Sequence, residues 1–108
     1  MTARNTWKGW ERRVASHLGG RRIPVTGIDR YEADVVTSMF HVQLKLRKAL
    51  PDWLFDWLGG IVANAEPHGK VGVLLLRKPR QDDAEALVVM RYSDFRDLHG
   101  TETPEARP

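Results

Sequence analysis

The sequence predicts an α/β protein of the α+β kind, with one mixed sheet flanked by helices in the order α-β-β-β-α-β-β-α. Three observations predict it. Residues 41–47 alternate polar and apolar at every step: Val42, Leu44 and Leu46 fall on one face, His41, Gln43, Lys45 and Arg47 on the other. That two-residue period belongs to a half-buried strand. Two other segments repeat at helical spacing: Trp7, Trp10, Val14 and Leu18, then Trp53, Leu54, Trp57, Leu58, Ile61, Val62 and Ala65. Residues 71–76 are almost continuously apolar, as in a central strand covered on both faces.

Taken in order, Asn5 is placed to cap a helix over residues 6–18, and Gly19-Gly20 ends it. Residues 21–25 read as a short strand, with Pro24 arguing for a sheet edge. A polar loop around Gly27 leads to a strand over 33–37. Ser38-Met39-Phe40 then turns the chain into the alternating strand, so these two strands form a hairpin. Leu50-Pro51-Asp52 opens the second helix, since proline suits a first turn. Its apolar phase continues across Gly59-Gly60, which predicts one helix to Ala65, with each glycine weakening it by about 1 kcal/mol. A break at Gly59 is the rival reading. After the strand at 71–76 comes a charged loop over 77–85 and a strand over 86–90. Ser93 is placed to cap a last helix through Leu98, stopped by Gly100. One domain over 1–100 is expected, with 101–108 a disordered tail.

The chain has 108 residues, enough for one modest core, and no cysteine, which excludes disulfides and thiolate zinc sites. The net charge of +3 leans toward a polyanionic partner. Apolar runs such as Val73-Leu74-Leu75-Leu76 and Ala86-Leu87-Val88-Val89-Met90 are too short to cross a membrane. Residues 1–8 carry no apolar signal region, so a soluble cytoplasmic protein is expected. The four histidines stand at 17, 41, 68 and 99 without metal-ligand helix spacing, so zinc is not expected.

The polar face of the alternating strand defines the candidate site. Polar groups on such a face need partners or a function. Asp34 supplies a carboxylate, Gln43 a neutral oxygen and Lys45 an ammonium. Glu11 reaches the same end of the sheet if the first helix packs across it. A hard cation such as Mg²⁺ takes oxygen ligands and keeps several waters. Asp34 would be its principal anionic ligand. Glu11 would bind directly or through water, with Gln43 and the backbone carbonyl of Leu44 adding neutral oxygens. Lys45 would orient or deprotonate an attacking water and offset phosphate charge. The bland alternative for each is a solvated surface side chain.

The residues Trp10-Glu11-Arg12-Arg13, Gly19 to Gly27, Ala33-Asp34-Val35, Gln43-Leu44-Lys45, the helix from Pro51 and Ala86 to Met90 together resemble the PD-(D/E)XK nuclease superfamily. In particular they resemble archaeal Holliday-junction resolvases and short resolvase-like proteins of phages infecting actinobacteria. The likeness covers residues 7–98. It implies a restriction-endonuclease-like core, Mg²⁺- or Mn²⁺-dependent hydrolysis of DNA phosphodiesters, and catalytic positions at Glu11, Asp34 and Lys45. It also implies a homodimer cutting paired strands of a branched DNA during recombination, and a phage or prophage origin. The family usually has Glu or Asp where this chain has Gln43, although some members carry glutamine. The amide keeps an oxygen and loses a charge, which predicts weaker metal binding. Glu32, two residues from Asp34 on the same strand face, is a supporting or DNA-facing group.

Basic residues flank the candidate site in sequence. Arg12, Arg13, Arg22, Arg30, Arg47 and Lys48, with Thr26 in the loop, are the expected DNA contacts, holding phosphates with little sequence preference. Two rival functions stand beside the nuclease. One is a non-cleaving DNA-binding module of the same fold, motivated by Gln43. The other is an interaction protein dimerising through Trp53 and Trp57, whose plainer role is core packing.

Overall fold

The computed structural model describes residues 6–23 and 33–100. Helix α1 (Trp7–Leu18) is capped by Thr6, whose hydroxyl accepts the Gly9 N–H at 2.9 Å. The expected cap, Asn5, lies outside the described residues. Gly19 ends the helix in the left-handed region, φ 68°, and its N–H donates to the carbonyls of Ala15 and Ser16. Three short strands follow: β1 (Arg21–Arg22), β2 (Val35–Val36) and β3 (His41–Val42). Then come α2 (Asp52–Ala65), β4 (Leu74–Leu76), β5 (Leu87–Val89) and α3 (Tyr92–His99). This is a mixed α/β fold in roughly the expected order, but the strands are shorter than the sequence predicts, and the one mixed sheet expected is corrected: among the described residues the strands pair only within two antiparallel sheets, of three and two strands. None of the described helices is long and apolar enough to cross a membrane.

The described residues up to Arg47, with those from Arg96 onward, form one compact unit; Lys48–Phe95 form a second. In the first unit β1, β2 and β3 make an antiparallel sheet in that order. The expected edge position of β1 is therefore met, while Pro24 and Val25 lie outside the described residues. The β2–β3 hairpin is also as expected. It is closed by the Thr37 N–H donating to the Phe40 carbonyl at 2.8 Å, and by the Thr37 hydroxyl accepting from the N–H of Met39 and of Phe40. Helix α1 packs on β1 and β2. Val14, Ala15 and Leu18 are buried, as are Val35, on the central strand and fully buried, and Leu44. Each Val or Leu removed from water contributes roughly 1.5–3 kcal/mol, so these few side chains dominate this core.

In the second unit β4 and β5 form an antiparallel ribbon, pairing Leu75 with Val88 and Leu76 with Leu87. Helix α2 packs on β4, and Gly72 allows the approach: a Cβ there would lie 2.7 Å from the Val62 Cα. Two expectations are corrected here. Residues 71–76 are not a buried central strand; the ladder covers Leu74–Leu76, and Leu75 and its partner Val88 are 65% and 63% exposed. A two-stranded ribbon covered by one helix leaves its other face open, so an apolar run does not secure burial on both sides. Nor do Trp53 and Trp57 pack in the core. Only Leu58 and Val62 of the α2 stripe are buried, because strands spaced about 4.8 Å apart make too narrow a ribbon to cover the whole stripe. Likewise α3 starts at Tyr92, so Ser93 lies within its first turn and is not its cap.

Helix α2 runs unbroken through Gly59 and Gly60, and a Cβ built at either meets nothing within 4 Å. Gly59→Ala and Gly60→Ala are each expected to stabilise the protein by about 1 kcal/mol. Urea denaturation of both variants checks this; a lowered midpoint would mean that the glycines serve a role in α2 beyond helix propensity.

Candidate active site

Glu11 lies on α1 with Val14 and Ala15, and its residue is 3% exposed. Burying a carboxylate is costly unless donors replace water. Two do so. The indole N–H of Trp7, one turn earlier, donates to Oε2, and Arg22 Nε donates to Oε1 at 2.6 Å. The Arg22 side chain, 23% exposed, makes this an ion pair between α1 and β1. Sequence reasoning placed Trp7 only in the apolar stripe and Arg22 only against phosphate. The Trp7–Glu11 spacing of four residues was a readable signal for the first contact. Nothing in the sequence pointed to the second.

Asp34 stands just before β2, half-buried. Its backbone is held on both sides: its N–H donates to the Val42 carbonyl at 2.8 Å, and its carbonyl accepts the Ile23 N–H at 2.9 Å. Its side-chain Oδ2 accepts the backbone N–H of Leu44 at 2.7 Å. That bond explains why β3 stops at Val42 when the sequence predicts a strand to Arg47. The carboxylate takes the Leu44 N–H that a ladder would need, a local competition of side chain with sheet. The alternation survives for three more residues. Leu44 is 4% exposed while Gln43 and Lys45 are exposed on either side of it. It fails at Leu46, expected inside and 62% exposed.

The structure therefore joins Asp34 to the Leu44 backbone N–H, between Gln43 and Lys45, and no described hydrogen bond links Asp34 to either of those side chains. Glu11 is tied to the same sheet through Arg22, which pairs with Val35 next to Asp34. Among the described residues no hydrogen bond joins Glu11 to Asp34. Arg12 is exposed on α1, Arg13 is half-buried, and Arg47 and Lys48 are exposed. Thr26, Arg30 and Glu32 lie outside the described residues.

The donor chemistry is all oxygen: the Asp34 and Glu11 carboxylates, the Gln43 amide and the Leu44 carbonyl. Such a set suits a hard cation. Asp34 Oδ1 is engaged by no described residue, whereas each Glu11 oxygen already accepts one hydrogen bond and keeps a second lone pair. Among the described residues, no group of three His, Cys, Asp or Glu side chains is arranged to hold a metal ion. A metal here would depend on neutral oxygens to complete its protein ligands.

No protein-family model matches the chain, nor does any curated protein or solved structure.

Proposed function

We propose that the protein is a Mg²⁺- or Mn²⁺-dependent DNA endonuclease of the Holliday-junction resolvase type, acting as a homodimer in the cytoplasm, that of the host if the chain is phage-encoded. The observation that supports this reading most is the Asp34 carboxylate accepting the Leu44 backbone N–H, in the middle of Gln43-Leu44-Lys45. It ties the acid to the backbone of the residue between Gln43 and Lys45, whose amide and ammonium supply the remaining chemistry of this reading. The finer fold this reading entails is a restriction-endonuclease-like core.

In this mechanism Asp34 would be the main anionic ligand of a cation, and Gln43 and the Leu44 carbonyl would add neutral oxygens. Glu11 contributes through a water or its remaining lone pair. A cation held there would supply Lewis acidity and an activated water. Lys45 orients that water and offsets charge building on the phosphate as the new P–O bond forms and the bond to the leaving oxygen breaks. Arg12, Arg13, Arg47 and Lys48, with Thr26 and Arg30, hold backbone phosphates, which makes binding salt-dependent and weakly sequence-selective. Arg22 serves mainly to hold Glu11. Paired cuts in a symmetric junction need two sites, hence two copies.

A second reading, a DNA-binding module that does not cut, is favoured by Gln43 and by the double engagement of Glu11. One assay separates them. Labelled four-way junction, flap, duplex and single-stranded DNA are incubated with Mg²⁺, Mn²⁺ or chelator, beside a Lys45→Ala control. Metal-dependent cutting that the control lacks is expected, with paired cuts in the junction. No cutting of any substrate in Mn²⁺, with junction binding intact, would transfer the case to the non-cleaving module. In an active protein Gln43→Glu is expected to lower the Mg²⁺ concentration giving half-maximal cutting, by about tenfold for a carboxylate gaining roughly 1.4 kcal/mol over an amide. A metal titration of both proteins checks it.

A further inference from the structure

The second unit carries a feature that the cleavage reading does not use. An open cleft of about 470 Å³ is lined by Trp53, Leu76, Arg77, Lys78, Gln81 and Leu87. Its size falls in the range of roughly 300–1,000 Å³ typical of clefts that take small organic groups. Its chemistry is divided. One side is apolar and aromatic: the Trp53 indole, 47% exposed, with Leu76 and Leu87. Trp57 backs Trp53, their ring centroids 4.9 Å apart and their planes tilted by 52°, which restrains the Trp53 ring. The other side is cationic.

That cationic side is built by a turn. Pro79 follows Lys78, and the Gln81 N–H donates to the Lys78 carbonyl at 3.1 Å. The Gln81 side-chain oxygen accepts the Lys78 N–H at 3.2 Å. Arg77 stitches the turn together, donating from Nη1 to the Gln81 carbonyl at 2.6 Å, with Nε 3.5 Å from an Asp83 carboxylate oxygen. Asp83 offsets part of the Arg77 charge. Lys78 has no ion-pair partner among the described residues, and the Gln81 amide keeps its NH₂ as a donor. Among the described residues the turn thus brings an unpaired ammonium to a cleft that the Trp53 indole also lines.

We infer that this cleft binds a nucleotide of single-stranded DNA, the base stacking on Trp53 and its phosphate held by Lys78. An aromatic face beside a cation matches a base and its phosphate together, and the pairing tolerates any base because every base has a π-face. Duplex DNA hides those faces in its own stack, so the site selects unpaired nucleotides such as those at a branch or flap. The inference deepens the DNA-processing reading and rests on it for its biological substrate.

The test is binding of a labelled thymidine oligonucleotide of about eight nucleotides, followed by anisotropy in chelator so that no cutting intervenes. Trp53→Ala is expected to weaken binding about tenfold, and Trp53→Phe, which keeps a ring, about twofold or less. Lys78→Ala is expected to weaken it and to reduce the slope of log affinity against log salt by about 0.7. Blunt duplex binding should be unchanged in all three. Should Trp53→Ala fold poorly, Lys78→Ala decides alone. Unaltered affinity and salt slope in Lys78→Ala, or unaltered affinity in a folded Trp53→Ala, overturns the inference. A fall in molar mass in Trp53→Ala with unaltered oligonucleotide affinity would show instead that the face joins two copies of this chain, and also overturns it. The nuclease reading fails separately: a protein that never cuts but shows these losses keeps the cleft, and one that cuts without them loses only the cleft.

Discussion

Asp34→Asn is expected to reduce metal-dependent cleavage about a thousandfold, a loss of ~4 kcal/mol in transition-state stabilisation, while leaving the fold in place. The substitution removes the negative charge on which the proposed cation most depends. It does not remove the acceptor that Leu44 needs, because an asparagine oxygen still takes the N–H now bonded to Oδ2 at 2.7 Å. Asp34→Ala removes both. That second variant should therefore lose cleavage and also about 1–3 kcal/mol of stability, since the N–H of a buried residue is left unpaired. Single-turnover cutting in Mn²⁺ and a urea titration of both variants read the two effects apart. An Asp34→Asn protein that cuts at the unmodified rate would end the assignment of Asp34 as the metal's acid.

Glu11→Ala is expected to cost about 2–3 kcal/mol of folding stability whether or not the protein is a nuclease. The buried carboxylate accepts from both Trp7 and Arg22, and its loss leaves an indole N–H and a guanidinium without their partner. The figure sits below the ~3–5 kcal/mol of a wholly buried pair because the Arg22 side chain remains 23% exposed and water screens it. Urea denaturation of Glu11→Ala, Arg22→Ala and the double variant gives the coupling between the two groups. If the single variants together cost no more than the double, the pair is not the unit described. Glu11→Gln separates structure from chemistry. The amide can accept one of the two hydrogen bonds, so a cleavage loss much larger than its stability loss would place Glu11 at the metal as well.

The elements were legible where a local rule governs them. Gly19 ended α1 because its left-handed φ of 68° is cheap only for glycine, and the hairpin followed from two strands with a short polar turn. The long α2 was legible from its unbroken phase, which two glycines did not interrupt. Burial in the second unit was less so. An apolar pattern says which face prefers to leave water, not how much protein is present to cover it, and the β4–β5 ribbon covers too little to hide Trp53, Trp57 or Leu75.

For the candidate site, the sequence by itself determined the chemical inventory: two acids, an amide, a lysine and the polar face shared by Gln43 and Lys45. Strand periodicity alone sets which of these neighbours point together. Only the tertiary structure decided how each is used. It brought the Asp34 carboxylate to the Leu44 N–H, which ends β3 at Val42, and it paired Arg22, expected as a phosphate contact, with Glu11. Both outcomes depend on residues ten and eleven positions apart competing for hydrogen bonds. Such competition is resolved by which groups the packed helix and sheet remove from water, and residue type and local spacing do not encode it.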